Sequence, residues 1–289
     1  MTDRFEYILF VGFSYFFRVL GLKLSRKFSI ILALFFFYII PIRKNVTIEN
    51  LTRAFPEYSS HKIKKIAFQC YQSFAITLIE ILYLPWMTSE KMEKIIKINN
   101  INFVKEKYQQ GDGLILMSAH FANWEYMAIS CGLQMQIPFS VVVKDQRNVL
   151  VNRWMNKYRT KWGNKIVPLG ISIRQIYKTL KEKKIVAMVA DQRGARDGIR
   201  VNFFGRKASV YAGPAMLALK TQTPILYGIA IRQPDYSYTS EFVEIQTKDL
   251  TGSDDEKIIE LSQRLTDYLE DIIRRNPEQW LWMHKRWKY

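Results

Sequence analysis

One constellation of residue types stands out for chemistry. His120 closes the apolar run Leu114–Ala119 (LILMSA), and Glu125 follows in the string His120-Phe121-Ala122-Asn123-Trp124-Glu125. Five positions along one regular helix separate side chains by about 140°. A strand end, a tight turn and a helix start are therefore needed to bring imidazole and carboxylate together. Such a pair makes a general base, with Glu125 holding the tautomer and stabilising the imidazolium that forms. Free N–H groups of the helix start suit an oxyanion. The structural alternative is a histidine packed at a strand end. A covalent route is the competing chemistry, with Ser118 on the same strand face or Cys131 on the helix as nucleophile. No GxSxG elbow surrounds Ser118, and Cys131 lies in an apolar stretch, so general-base chemistry without a covalent intermediate is favoured.

The elements that must position His120 follow from the pattern of the chain. Residues 46–110 read mostly as helix, with Ser59 or Ser60 capping a segment from His61 to Leu84. Gly111-Asp112-Gly113 is a turn, after which strands and helices alternate. Strands are expected over 114–119, 139–143, 166–169, 185–190, 225–232 and 241–246. Helices are expected from Trp124, over 148–162, 171–181 and 213–220, and from about Asp254 to Arg275. That alternation predicts an α/β fold with a largely parallel sheet. No internal repeat, GxGxxG, Walker A or HExxH pattern occurs, so nucleotide-binding and zincin readings have no support.

The first forty residues have a different character. Tyr7–Phe17 and Phe28–Ile40 are apolar runs flanked by Arg4, Arg18, Lys23, Arg26, Lys27, Arg43 and Lys44. Asp3 and Glu6 sit where a signal peptide is basic, and no small-residue cleavage site follows. The expectation is an uncleaved anchor over residues 1–45, one spanning or deeply embedded helix with an apolar helix docked beside it, ahead of an α/β domain over 46–289. Two buried core helices are the alternative.

Composition narrows the partners. The 289 residues carry 43 Lys+Arg against 26 Asp+Glu, a net charge of +17, with 14% aromatics. Disorder and a disulfide scaffold are excluded, and two cysteines outside any CxxC leave no thiolate zinc site. The excess of positive charge calls for an anionic partner: nucleic acid, a membrane surface or an acidic protein. On a helix, Arg153, Lys157 and Lys161 form one stripe, and Trp154, Tyr158 and Trp162 an adjacent one. Basic and aromatic stripes side by side suit a membrane interface. Nucleic acid is disfavoured, because no RRM, KH or helix-turn-helix signature appears.

The string His120-Phe-Ala-Asn-Trp-Glu125 after an apolar strand resembles the HFGNWE-type block of the bacterial lipid A late acyltransferases, within the lysophospholipid acyltransferase group and its HxxxxD/E motif. Further blocks match in order. Asn50-Leu51-Thr52-Arg53-Ala54-Phe55-Pro56-Glu57 resembles an "NL..AFPE" element. Asp191-Gln192 and then Val201-Asn202-Phe203-Phe204-Gly205 resemble a "DQ…V.FFG" stretch. Gly213-Pro214-Ala215 matches the next helix start, and Pro277–Arg286 is similar to a C-terminal "PEQYLW.H.R" signature. Ala122 stands where the family commonly has Gly, and the loop from Arg193 to Arg200 carries extra charge.

The resemblance implies a glycerolipid-acyltransferase-like mixed sheet flanked by helices, with no metal and no cofactor. It implies transfer of a fatty acyl chain from acyl carrier protein, or coenzyme A, to a hydroxyl of a lipid A precursor at the cytoplasmic side of a bacterial inner membrane. His120 and Glu125 are the implied catalytic residues. Arg159, Asp191, Asn123 and Gln192 are the implied substrate-binding residues, Arg159 taking an anionic group of acceptor or carrier. Other acceptors remain open at this point: a lysophospholipid, an aminolipid or a mannoside glycolipid. A non-catalytic membrane-surface or nucleic-acid-binding protein is the reading from a different class.

Overall fold

The computed structural model describes residues 2–170 and 173–288. The chain begins with α1 (Thr2–Leu34), which is two helices joined at Gly21 (φ 71°, ψ 155°). Twelve residues of straight helix would cover about 18 Å, yet the rings of Phe16 and Phe28 lie 5.9 Å apart. The Ser25 hydroxyl donates to the Phe17 carbonyl at 3.1 Å, so the second half turns back on the first. Glycine suits the joint because L side chains are strained at positive φ. A π-helical turn, Phe35–Ile39, ends the second apolar run. Phe5, Ile8, Phe13, Phe16, Val19 and Ile31 lie exposed on this hairpin.

Next come α2 (Lys44–Ala54) and α3 (Ser60–Tyr83). Ser59 caps α3 by accepting from the Lys62 amide at 3.3 Å, as its residue type favours. The segment Ser60–Trp86 is long and apolar enough to cross a membrane, but its most apolar window is 67% buried within the molecule. Its apolarity is that of a core helix, packed by α1, by α2 and by the C-terminal turn Pro277–Gln279.

The remaining elements are α4 (Ser89–Ile95), β1 (Ile96–Ile98), α5 (Ile101–Lys107), β2 (Leu114–Ser118), α6 (Trp124–Met135), β3 (Ser140–Val143) and α7 (Val149–Arg159). Then follow β4 (Lys165–Pro168), α8 (Ile173–Lys181), β5 (Ile185–Val189), β6 (Arg200–Phe203), β7 (Arg206–Ser209) and α9 (Gly213–Thr221). The chain closes with β8 (Ile225–Gly228), β9 (Ile231–Arg232), β10 (Tyr238–Ser240), β11 (Phe242–Ile245) and α10 (Asp254–Arg275). The start expected for α8, Ile171, lies outside the described residues, as does Ser172.

The main sheet has the order β11-β8-β2-β5-β3-β4. Every pairing in it is parallel except β11 with β8. This is the largely parallel sheet that the alternation predicts, and the mixed sheet with flanking helices that the resemblance implies. The fully buried β2 and β5 form its centre, which is why both read as unbroken apolar runs. The run 225–232, expected as one strand, is two: β8 belongs to the main sheet and β9 to a small sheet of order β1-β10-β9. β6 and β7 form a hairpin by themselves. Helix α10 opens with a capping box, in which Ser253 and Glu256 exchange hydrogen bonds.

Candidate active site

β2 and β5 run parallel and in register, with Ser118 opposite Val189. Two residues past that pair, at the carboxyl edge of the sheet, stand His120 and Asp191. His120 Nδ1 lies 2.6 Å from Asp191 Oδ1, and the His120 amide donates to Asp191 Oδ2 at 2.9 Å. The Trp280 indole N–H donates to the same Oδ2 at 2.8 Å. Asp191 is thus a buried carboxylate with three donors, and Nε2 is the ring nitrogen left for chemistry. Burial pushes the Asp191 pKa up, but the charge of His120 and these hydrogen bonds outweigh it and hold it below the usual carboxylate value. Burial likewise pushes His120 down, but Asp191, with a smaller contribution from Glu125, outweighs it and raises the imidazole above its ordinary value.

The orienting carboxylate at Nδ1 is therefore Asp191 rather than the sequence neighbour Glu125. Glu125 sits in the first turn of α6 and faces α7. There Arg159 grips it with two parallel bonds, Nε to Oε2 at 2.8 Å and Nη2 to Oε1 at 2.5 Å. The third nitrogen, Nη1, donates to Asn156 at 3.0 Å. With three of its five N–H donors so engaged and only 7% exposed, Arg159 is committed to Glu125 and Asn156 in this structure. The expected roles of Glu125 and Arg159 change together: they form one buried ion pair that ties α7 to the start of α6.

Asn123 is also committed internally. It caps α6 by accepting from the Tyr126 amide at 2.9 Å and donates to Glu80 Oε2 at 2.7 Å. Glu80, fully buried on α3, also accepts from Arg26 of α1 at 2.8 Å and from the Tyr238 hydroxyl at 2.5 Å. The histidine loop is thus fastened to α3 through the Glu80 carboxylate and through the Thr77 hydroxyl, which donates to the Ala122 carbonyl at 2.6 Å. Gln192 follows Asp191 at the strand end and is exposed. Cys131 is buried and its thiol is pushed up to about 12, which makes it inert. Ser118, at the end of β2, makes no hydrogen bond to His120 among the described residues.

The C-terminal segment completes the site. Leu281 donates its amide to the His120 carbonyl at 3.0 Å, and Ala122 donates to the Gln279 carbonyl at 2.7 Å. Ala122 itself has φ 42°; this is the position at which glycine is common in the family resembled. Asn50 donates to the carbonyls of Trp282 and His284 at 2.8 and 2.6 Å. Phe203 and Phe204 pack on Trp280 and Trp282. The blocks at Asn50, His120, Asp191 and Phe203-Phe204 thereby converge on the C-terminal segment. Trp280, Glu80 and Asn50 join the site through the fold alone; in the sequence only the blocks that contain Trp280 and Asn50 point to them. The cleft at His120, walled by Ser73, Ala122, Trp124, Trp280 and Met283, has room for about 10 Å³, the space of one water-sized group. Among the described residues no cluster of His, Cys, Asp or Glu is arranged to hold a metal.

Fold and site together define an α/β enzyme with a histidine–carboxylate centre at the edge of a mixed sheet. The chain belongs to the bacterial lipid A biosynthesis acyltransferase family, whose model matches residues 1–289, and it is an acyltransferase. It is similar to the lipid A biosynthesis palmitoleoyltransferase of Escherichia coli K12, at 23% identity over 85% of this chain and 79% of the relative. The lauroyltransferase of the same organism is similar at 23% over the same shares. A phosphatidylinositol mannoside acyltransferase of Mycolicibacterium smegmatis is 24% identical over 74% of this chain and 70% of the relative.

Proposed function

We propose that this chain moves a fatty acyl group from an acyl carrier protein thioester to a hydroxyl of a lipid A precursor, at the cytoplasmic side of a bacterial inner membrane. An alcohol is a weak nucleophile at neutral pH and needs a base as it attacks. Nε2 of His120 takes the hydroxyl proton as the oxygen adds to the thioester carbonyl. The oxyanion draws on the amides at the start of α6, which precede the first intrahelical bond. On collapse the C–S bond breaks, the imidazolium returns the proton to the leaving thiolate, and ester and free thiol result. Asp191 stays ionised and stabilises the imidazolium, while Trp280 keeps its second oxygen in place.

The observation that carries this reading is the His120 imidazole braced at Nδ1 by a buried carboxylate, with no hydrogen-bond partner at Nε2 among the described residues. The lipid A names among the relatives support the acceptor class, and the exposed apolar hairpin at the N-terminus supports the membrane setting. The test is reconstitution: purified chain with acyl carrier protein or coenzyme A thioesters, offered a lipid A precursor or a mannoside phospholipid. Mass spectrometry of the product names donor and acceptor. Transfer to the mannoside alone would replace the lipid A reading by the second acceptor class.

A further inference from the structure

Away from His120 lies a cavity of about 410 Å³, between the first half of α1, the turn Leu84–Trp86 and α7. It shares no wall residue with the cleft at His120, and its size falls in the range of lipid- and ligand-binding clefts. Its walls are aromatic: Tyr15, Trp86, Trp154 and Tyr158, with Arg153 and Lys157 on the same face. The walls are fixed. Trp86 donates to the Ser14 carbonyl at 3.3 Å, and Trp154 is held between Phe10 and Tyr158, with ring centroids 4.8 and 4.6 Å away.

The charge here is one-sided. Arg18 stacks on Trp86 at 4.1 Å, and Arg153 and Lys157 add two further cations. Against these three cations stands Glu6, which lies near the groove end and accepts from the Asn148 amide at 3.0 Å, so positive charge predominates. Among the described residues neither Arg153 nor Lys157 is in an ion pair. Lys157 lies about 200° around α7 from Arg159, so the groove is on the helix face opposite the Glu125 pair. Its other wall is the helix whose outer face exposes Ile8, Phe16 and Val19.

We propose that this groove binds one anionic phospholipid, an acyl chain lying against the aromatic walls and the phosphate between Arg153 and Lys157. Aromatic walls alone would accept any acyl chain, and exposed cations alone would accept any anion. Their combination beside an apolar helix face selects a lipid carrying both. This site is independent of the acyl-transfer reading and does not require His120.

Native mass spectrometry of the full chain in detergent tests it, with short-chain phosphatidylglycerol as probe. Phosphatidylcholine, inorganic phosphate and acyl carrier protein serve as competitors. One phosphatidylglycerol per chain is expected, retained over phosphatidylcholine and undisplaced by inorganic phosphate. Arg153→Gln with Lys157→Gln should weaken it at least about tenfold, whereas Lys64→Gln with Lys65→Gln should not. Phosphatidylglycerol brominated in its chain should quench tryptophan emission, and Trp86→Phe with Trp154→Phe should remove most of that quenching. Equal retention of phosphatidylcholine, displacement by phosphate, or unchanged binding by the Arg153/Lys157 variant would each overturn the proposal. So would loss of carrier-protein binding in that variant with the lipid still held.

Discussion

Asp191 stands opposite His120 because β2 and β5 are neighbours in register, and Oδ1 of one meets Nδ1 of the other at 2.6 Å. Replacing Asp191 by Asn keeps size and polarity but removes the charge that stabilises the imidazolium. Asp191→Asn should lower kcat by about 10²–10⁴-fold. Because Asp191 raises the His120 pKa, the acid limb of the pH–rate profile should also move to lower pH in this variant. An unmoved limb would show that the titrating group is not paired with Asp191.

The same pair makes stability depend on pH. His120 is raised, so its contribution is complete below the ordinary histidine value and is lost as pH rises through the folded value. Asp191 is lowered, so its contribution is present above the ordinary aspartate value and is lost as pH falls through the folded value. The two form one coupled system. Denaturation midpoints measured across pH should therefore show this contribution at its fullest between about pH 4 and 6.5. Asp191→Asn should flatten both shoulders.

Glu125 and Arg159 are buried together, and removing either partner strands the other charge. Glu125→Gln or Arg159→Met should each destabilise the protein by about 3–5 kcal/mol. The double variant should recover part of that loss. Thermal unfolding of the three variants decides the point. Independent, additive losses would mean the pair is not coupled.

Ala122 holds a left-handed conformation while its amide and carbonyl are both bonded, to Gln279 and Thr77. Ala122→Gly should leave stability equal or raise it by up to about 1 kcal/mol, with transfer unchanged. Ala122→Val should cost more than 1 kcal/mol and slow transfer, since a β-branched residue resists positive φ. Unfolding midpoints together with turnover would show whether the loop tolerates the change.

Much of this was legible in the sequence, and the failures have physical causes. LILMSA and KIVAMVA read as buried strands because a central parallel strand is apolar on both faces, and α10 matches its expected bounds. Glu125 was the natural partner for His120 because it is near in sequence. The awkward angle between them is resolved by giving each a different partner, across the sheet for His120 and across two helices for Glu125. That β2 and β5 are adjacent could not be read locally, since β3 and β4 come between them along the chain. Three-residue strands such as β1 were missed because their pairing partner, β10, lies about 140 positions away. Gly21 gave no sign that it would turn one apolar hairpin half back on the other.

His120 as the base in direct transfer is the central claim, and single-turnover ester formation by His120→Ala tests it most directly. The assay uses the thioester and acceptor identified by reconstitution, with folding checked by circular dichroism. The variant should bind both substrates, remain folded, and form ester about 10²–10⁴-fold more slowly than the parent chain. No acyl-enzyme should accumulate in either protein. Near-normal ester formation by His120→Ala, or a trapped acyl group on Ser118, would contradict the account.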